Sequence, residues 1–262
     1  MIMAKKDSET KVEEVKNNDT VEEPEITPEE LLELLSNVNG GNSNMQTIMS
    51  IGLAEKLYLE DLGDRLFYLD SEVNSDLLHT VTMQIYKING CDYGIPVDER
   101  TPIVLVINCV GGSVFDGMGL IDAIRQSNTP VIGVCTGYAM SMAFTIFSVC
   151  HTRISMPNAI FMYHDGEEGV YNTVTKFADW ATFYPKVDKR LRRMIAERSK
   201  FTVEYLEQIA PHDNFWFADE MVEKGIVDGI IGVDIEMEDI FSFMSVNDNI
   251  DDKCDCNKEK DK

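Results

Sequence analysis

The sequence predicts a mixed α/β fold, because short apolar runs of strand character alternate with segments of helical spacing. Residues 103–107 and 130–135 are rich in Val and Ile and are typical of buried strands. Between them, residues 115–126 have the spacing of a helix, and the apolar run at residues 142–150 is predicted to be a buried helix. This alternation favours a layered architecture in which helices cover a sheet.

Further segments can be assigned on both sides of this region. Residues 65–69 form an entry strand that a helix follows, and residues 157–163 form a strand that ends at a histidine. Residues 171–200 have helical spacing, although Pro185 is expected to interrupt or kink this segment. An aromatic strand and a short helix then follow Asp213.

The most informative segment is residues 137–143, with the sequence Gly-Tyr-Ala-Met-Ser-Met-Ala. It places Ser141 between a strand and the buried helix, at a turn built from small residues. There the hydroxyl would be exposed above a positive helix N-terminus, as nucleophilic catalysis requires. A serine among small residues at a turn also serves packing and capping, so this segment alone does not decide the function.

A pair of glycines, Gly111 and Gly112, follows the strand at residues 103–107. Because glycine has no Cβ, the backbone N–H groups of such a loop can point into a cleft. Together with the N–H of Met142, such a donor would hold the oxyanion of a tetrahedral intermediate. An ordinary glycine-rich turn before the next helix is the alternative.

Two further residues complete a candidate catalytic set. His164 ends a strand-like apolar run, and Asp213 precedes the aromatic strand. Taken singly, a histidine at a strand end is usually structural, and the aspartate would equally be a turn residue or a helix cap. Their combination with Ser141 favours nucleophilic catalysis, because a base and an orienting acid activate a serine.

In their order along the chain, these segments resemble those of the ClpP family, the proteolytic subunits of ATP-dependent Clp proteases. The resemblance rests on the glycine pair, the Gly-x-Ala-x-Ser-Met turn, the Met-x-His strand end, the Asp-x-Phe segment and the closing run at residues 218–228. It covers residues 50–233. It implies the spiral of repeated ββα units that ClpP shares with crotonase-like proteins, with an extended handle helix at residues 171–200.

Position by position, the resemblance implies that Ser141 is the nucleophile, His164 the general base and Asp213 the orienting acid. Gly112 and Met142 become the oxyanion donors. The resemblance implies no metal and no cofactor, since ATP would be used only by a partner unfoldase.

Rival residues exist for two of these roles. His79, His151 and His212 do not end an inner strand as His164 does. Asp165 is the rival acid because it adjoins His164. Neighbouring strand residues point to opposite faces, however, so Asp165 is expected to aim away from the imidazole.

The sequence departs from the resembled family in three places. Cys109 and Val110 stand where a serine–proline pair usually precedes the glycines, and Asp165 and Gly166 replace the usual glutamine–proline after the histidine. An insertion at residues 89–99 separates the first helix from the next strand. None of these changes removes a member of the candidate triad, so activity is expected.

At 262 residues the chain is long enough for one domain with a substantial core. No apolar run is long enough to span a bilayer, and the acidic, lysine-containing start has no secretory hydrophobic segment. A cytoplasmic protein without a membrane partner is therefore expected. Four cysteines in or near the apolar core should stay reduced there, namely Cys91, Cys109, Cys135 and Cys150.

The formal net charge of −23 is carried largely by the two ends of the chain. Residues 1–64 carry 15 acidic and 5 basic side chains, and residues 234–262 carry 10 and 4. We expect a largely disordered acidic extension at residues 1–48, a peptidase domain at residues 49–233 and an acidic tail at residues 234–262. Such acidity argues against a nucleic-acid partner.

Within the N-terminal extension, the sequence Thr-Pro-Glu-Glu at residues 27–30 predicts a helix start, and a short helix is expected near residues 28–38. Several leucines give this helix an apolar face. The face would pack on the domain's own core or dock onto a partner.

The resemblance also implies partners. Residues 171–200 carry aromatic and basic side chains, and at this position the family has the helix through which two heptameric rings stack into a tetradecamer. A solvated charged helix is the alternative. Stacked rings would enclose the active sites in a chamber that admits only unfolded or short polypeptides, delivered by an AAA+ unfoldase.

Three functions remain open. The first is a serine endopeptidase that works with an ATP-dependent unfoldase. The second is a ClpP-like protease that processes one partner, such as a phage head-maturation (prohead) protease, since the insertion and the acidic ends are unlike a housekeeping subunit. The third is a crotonase-like acyl-CoA enzyme, which the order of Ser141, His164 and Asp213 disfavours.

Overall fold

The computed structural model describes residues 61–166 and 173–241 of the chain. The expected N-terminal extension, its helix near residues 28–38 and most of the C-terminal tail lie outside the described residues. Within those ranges the chain forms a mixed α/β fold with a seven-stranded, mostly parallel sheet. The predicted fold class is confirmed.

Strands and helices alternate along most of the described chain. The strands are β1 (Leu66–Leu69), β2 (Ile103–Cys109), β3 (Val131–Met140), β4 (Thr152–Ser155), β5 (Ile160–Tyr163), β6 (Asn214–Phe217) and β7 (Gly229–Ile230). The helices are α1 (Met83–Cys91), α2 (Val114–Gln126), α3 (Met142–Val149), α4 (Val174–Glu197), α5 (Val203–Ile209), α6 (Ala218–Glu223) and α7 (Met237–Phe241). No helix in the described ranges is both long enough and apolar enough to cross a membrane.

The long strand β3 organises the sheet, whose order is β1-β2-β3-β4-β7 with β5 and β6 branching from β3. The first half of β3 pairs with β4, and its second half pairs with β5, from Tyr138↔Ile160 to Met140↔Met162. Every pair is parallel except β5 with β6. β3 therefore runs five residues beyond the predicted strand end at Cys135, because pairing on both sides overrides the weak strand character of its second half.

Alternation along the strands divides the core between the two faces of the sheet. Ile103, Leu105 and Ile107 of β2 belong to a large cluster beneath the helices, whereas Val104 belongs to a smaller cluster on the opposite face. Ile240 of α7 is buried in that smaller cluster. The beginning of the predicted acidic tail therefore packs against the sheet.

Helix α3 is the most deeply buried helix in the described ranges, since all eight of its residues are buried. Its two phenylalanines pack on β5: the ring of Phe147 lies 5.2 Å and that of Phe144 6.5 Å from the ring of Phe161, centroid to centroid. Phe144 also stacks against Trp216 of β6. The predicted buried helix is confirmed, and it holds two neighbouring strands in place.

The structure contradicts two details of the sequence interpretation. Pro185 does not interrupt α4, which runs on to Glu197, because Pro185 is exposed and solvent can satisfy the one carbonyl that loses its helical partner. Cys91 is exposed at the end of α1 rather than lying in the core. The other three core cysteines are buried, and burial raises the pKa of both Cys135 and Cys150 to about 12.

The insertion at residues 89–99 is anchored by a buried carboxylate. Asp92 is only 1% exposed, and it accepts two hydrogen bonds of 2.8 Å from Arg65 and one of 2.7 Å from the Thr129 hydroxyl. Burial alone would raise the pKa of Asp92, but these bonds outweigh it and hold the pKa below its usual value. The insertion therefore contributes to the domain's stability.

We predict that Asp92→Asn lowers the free energy of unfolding by about 3 kcal/mol at neutral pH, because Arg65 would lose its buried partner. The folded-state pKa of Asp92 is lowered, so its contribution is complete above the ordinary carboxyl pKa and is lost as the pH falls below it. Denaturant unfolding at several pH values measures both effects. The exposed neighbour Asp98 gives the control, Asp98→Asn, and equal losses from the two variants would contradict the prediction.

Candidate active site

Ser141 lies at the junction between β3 and α3, with an unusual backbone conformation. Its φ of 52° and ψ of −120° make it one of two non-glycine residues with positive φ in the described ranges. Such a conformation costs about 1–3 kcal/mol and persists only where the surroundings impose it. Here the Ser141 N–H donates to Met162 O at 2.9 Å, and α3 begins at the next residue. The turn lifts the hydroxyl out of the sheet edge.

Strand register brings His164 and Asp213 to the same edge. In the antiparallel pair β5–β6, Tyr163 lies opposite Asn214, so one further step places His164 opposite Asp213. The parallel pairing of β3 with β5 ends at Met140, directly before Ser141. Three residues that are far apart in the sequence therefore meet at the ends of three neighbouring strands.

The side chains of these three residues form one hydrogen-bonded chain. His164 Nε2 lies 2.8 Å from Ser141 Oγ, and His164 Nδ1 lies 3.0 Å from Asp213 Oδ1. With its proton on Nδ1, the imidazole donates to the carboxylate and accepts from the hydroxyl. The structure thus brings together the predicted nucleophile, base and acid, whose catalytic roles remain predictions.

Exposure increases along this chain of side chains. The His164 side chain is 21% exposed, whereas that of Asp213 is 61% exposed in the subunit. An exposed carboxylate acts on the imidazole through a higher local dielectric than a buried one does. The Asp213–His164 contact is therefore the part of the site that depends most on what covers it.

Asp165, the rival acid, is occupied elsewhere. Its carboxylate accepts a hydrogen bond from Arg192 of α4, and its N–H donates to Ala210 O at 2.8 Å. Arg192 also donates to the Tyr163 hydroxyl at 3.2 Å. In this arrangement Asp165 pairs with a guanidinium, and the imidazole of His164 is paired with Asp213, as the alternation of strand side chains predicted.

The remaining histidines take no part in this chain. His79 lies exposed in a π-helical turn at Leu78–Thr82, and His212 is exposed in the loop before Asp213. His151 Nδ1 accepts the Val131 N–H at 3.0 Å, and burial lowers the pKa of this histidine. Its contacts serve to join α3 to β3.

The glycine loop adopts a conformation that only glycine takes readily. Gly111 and Gly112 have φ values of 106° and 140°, and a Cβ on Gly112 would lie 2.5 Å from Val73 O. A Cβ on Gly111 would lie 2.8 Å from Ser141 Cβ and 3.0 Å from Met142 N. The loop therefore lies directly against the start of α3.

Two backbone donors are available at this place. Within the described residues the Gly112 N–H forms no hydrogen bond, and the Met142 N–H is in the first turn of α3, where helical N–H groups lack helical acceptors. The position of the loop suits the predicted oxyanion donors, Gly112 and Met142. Their role stays a prediction.

From the sequence, Cys109 was predicted to be a core cysteine and a departure from the resembled pattern, and the structure also gives it a function in the loop. Its thiol donates to Ser71 O at 2.9 Å and accepts the Gly111 N–H at 3.3 Å. A serine hydroxyl could make the same two contacts, which explains how Cys109 replaces the serine of the resembled pattern. Its place directly before the glycines was the available signal.

A narrow cleft opens beside Ser141. Its walls are mostly apolar and come from Val114, Met142 and Leu191, while Asp165 and Asp188 add carboxylates. Asp188 and Arg192 were also missed from the sequence as parts of the site. Their spacing of four residues on one helix face was the signal that would have grouped them.

Across residues 61–166 and 173–241, no group of three or more His, Cys, Asp or Glu side chains is placed to bind a metal ion. The hydrogen-bonded serine, histidine and aspartate thus remain the main chemical feature of the described chain.

Comparison with known protein families agrees with this geometry. The family model for the Clp proteases matches residues 54–234, which is more than two thirds of the chain and includes every element from β1 to β7. The match contains Ser141, His164 and Asp213 together with the glycine loop. The chain therefore belongs to the Clp protease family, the peptidases of the ClpP type.

Proposed function

We propose that the chain is a serine endopeptidase that hydrolyses peptide bonds of unfolded proteins inside an oligomeric chamber. The observation that carries this proposal is the continuous hydrogen-bonded chain from Asp213 through His164 to Ser141, with contacts of 3.0 and 2.8 Å. Membership in the Clp protease family supports it and disfavours the crotonase-like acyl-CoA alternative.

The proposed reaction has two stages. Ser141 Oγ attacks the carbonyl carbon of the scissile peptide while His164 Nε2 takes the hydroxyl proton. The N–H groups of Gly112 and Met142 hold the resulting oxyanion, and the imidazolium then gives its proton to the leaving amine. Water attacks the acyl-enzyme in the second stage with His164 again as the base. Asp213 keeps the imidazole in the required tautomer throughout.

A multi-subunit chamber is supported by the surface of α4. Phe177 and Phe183 on its first half are each about half exposed, and Trp180 packs edge to face against Phe183. Exposed cations follow on its second half, at Lys186, Lys189, Arg190 and Arg193. An aromatic patch beside a basic one suits a contact between subunits better than it suits a solvated helix. We propose that this contact stacks two heptameric rings.

The proposed partner is an AAA+ unfoldase that uses ATP to deliver unfolded polypeptide. We place both proteins in the cytoplasm, and the peptidase itself needs no cofactor.

A phage head-maturation protease is the second candidate. It is favoured by the insertion, which presents apolar side chains outward at Tyr93 and Val97, as a contact with a dedicated partner would require. Whether the neighbouring genes encode an unfoldase or capsid proteins separates the two candidates.

The first prediction of this proposal is that Ser141→Ala abolishes peptidase activity and fluorophosphonate labelling, with a loss of about 10³-fold or more. The fold should survive, since only one exposed oxygen is removed. Fluorogenic peptide hydrolysis and mass-spectrometric mapping of the labelled peptide give the two measurements. Ser75→Ala, at an exposed serine away from the cleft, is the matched control. Labelling that persists in Ser141→Ala would refute the assignment of the nucleophile.

A second prediction separates the two candidate acids. Asp213→Asn should slow peptide hydrolysis by about 10²- to 10⁴-fold, because the productive tautomer of His164 loses its acceptor. Asp165→Asn should cost much less, since Asp165 pairs with Arg192 and not with the imidazole. Steady-state kinetics of both variants decide between them. The reverse order of effects would move the role of the acid to Asp165.

A third prediction concerns assembly. The wild-type protein should sediment as rings at micromolar concentration, and a double charge reversal, Arg190→Glu with Arg193→Glu, should separate stacked rings without unfolding the subunit. Arg192 is unsuitable for this test because it pairs with Asp165 inside the subunit. Opposed like charges cost several kcal/mol at an interface.

Analytical ultracentrifugation measures the outcome, with the exposed Lys87→Glu on α1 as the control. A wild-type protein that sediments as a monomer would rule out the chamber.

A further inference from the structure

The cleft beside Ser141 contains two carboxylates in different electrostatic situations. Asp165 accepts a hydrogen bond from Arg192, which also donates to the Tyr163 hydroxyl. The guanidinium of Arg192 is therefore committed to the cleft wall, and it neutralises Asp165. One negative charge remains, on Asp188.

Asp188 is partly buried and faces the cleft. Among the described residues, no side chain or backbone group donates a hydrogen bond to its carboxylate. Its Oδ1 lies 3.9 Å from the place where a Cβ on Gly166 would stand, and Val114 lies equally close to that place. The carboxylate thus sits at the cleft wall near Gly166, and Val114 of the apolar lining lies near the same glycine.

The surroundings of Asp188 favour a cation in front of it. Burial raises the pKa of this carboxyl, Asp165 raises it further, and Arg192 lowers it only in part. Burying part of a carboxylate costs free energy, because the lost hydration is not replaced where no group donates a hydrogen bond. A cationic group that enters the cleft would restore that solvation through a charge-assisted hydrogen bond.

The remaining walls define the shape of what would enter. Val114, Met142 and Leu191 offer apolar contacts, and the cleft is narrow. Such narrow walls suit a slender aliphatic stem better than the broader ring of an aromatic side chain. A long side chain with a charged tip satisfies both the walls and the carboxylate, because such side chains pack their stems against apolar surface.

We propose that this cleft binds the side chain of the substrate residue whose carbonyl Ser141 attacks, and that Asp188 selects lysine or arginine at that position. This inference rests on the proposed function, since it assigns a substrate preference to the same serine peptidase site. Asp188 acts here as a specificity-determining residue. The bond attacked and the proton transfers are those already given for Ser141 and His164.

The test uses the full-length protein and two pairs of probes that differ in one charged group. The first pair is a fluorogenic peptide that ends in lysine or in norleucine before the cleaved amide. The second is a peptidyl diphenyl phosphonate with the same two side chains, which labels the nucleophilic serine without turnover. Asp188→Asn is compared with the wild type, and Asp179→Asn, at an exposed acid on the same helix, is the matched control.

The wild type should favour lysine over norleucine by about 10- to 100-fold in kcat/KM and in labelling rate, the range expected for one hydrogen bond to a charged group. In Asp188→Asn this ratio should fall toward one, and in Asp179→Asn it should not change. A purely structural role for Asp188 would alter both substrates alike and leave the ratio intact.

The outcomes are distinguishable. Ser141-dependent cleavage with no preference for lysine, or with a preference that survives in Asp188→Asn, would overturn this inference and leave the peptidase assignment standing. If neither peptide is cleaved and neither phosphonate labels Ser141, the proposed function and this inference fall together.

Discussion

The pairing of β5 with β6 is the constraint on which the candidate site depends. Because the two strands are antiparallel with Tyr163 opposite Asn214, the next positions outward are His164 and Asp213. A slip of one residue would turn every side chain of β6 to the other face and remove the carboxylate from the imidazole. In the same way, the parallel register of β3 against β5 places Ser141 beside His164. Two strand registers thus bring together residues that lie 23 and 49 positions apart.

Those registers are held by aromatic packing beneath the site. Phe144 of α3 contacts Phe161 of β5 and Trp216 of β6, so the helix that begins after Ser141 also clamps the strands that lead to His164 and Asp213. The burial of α3 also offsets the unfavourable backbone conformation of Ser141. That conformation costs about 1–3 kcal/mol, which is small compared with the free energy needed to expose a fully buried helix. Catalytic geometry and core packing are therefore parts of one arrangement.

Features that depend on neighbouring residues in the sequence could be predicted, and features that depend on distant contacts could not. Ser141 and the glycine pair were predicted correctly as a turn and a loop, because small residues next to apolar runs indicate the local backbone conformation. The partnership of Asp165 with Arg192 could not be predicted, since it depends on how α4 crosses the end of β5. For the same reason the position of the Asp188 carboxylate in the cleft could not be predicted, although its spacing of four residues from Arg192 placed both on one helix face. Helix α4 continues past Pro185 because this residue lies on the exposed side of the helix, where the missing N–H is tolerated. Its tertiary position, and not its helix propensity, decides this outcome.

Helix α4 links the interior of the site to the outer surface. Leu191 and Arg192 line or brace the cleft, while Lys186, Lys189, Arg190 and Arg193 of the same helix are exposed. A contact that shifts α4 would therefore move the wall beside Ser141 as well. Asp213 adds a second link, because its 61% exposure leaves the carboxylate largely in water, where its hold on the imidazole is weakest. A neighbouring subunit that covered this edge would lower the local dielectric and strengthen that hold. Assembly would then control catalysis through two routes, the position of α4 and the solvation of Asp213.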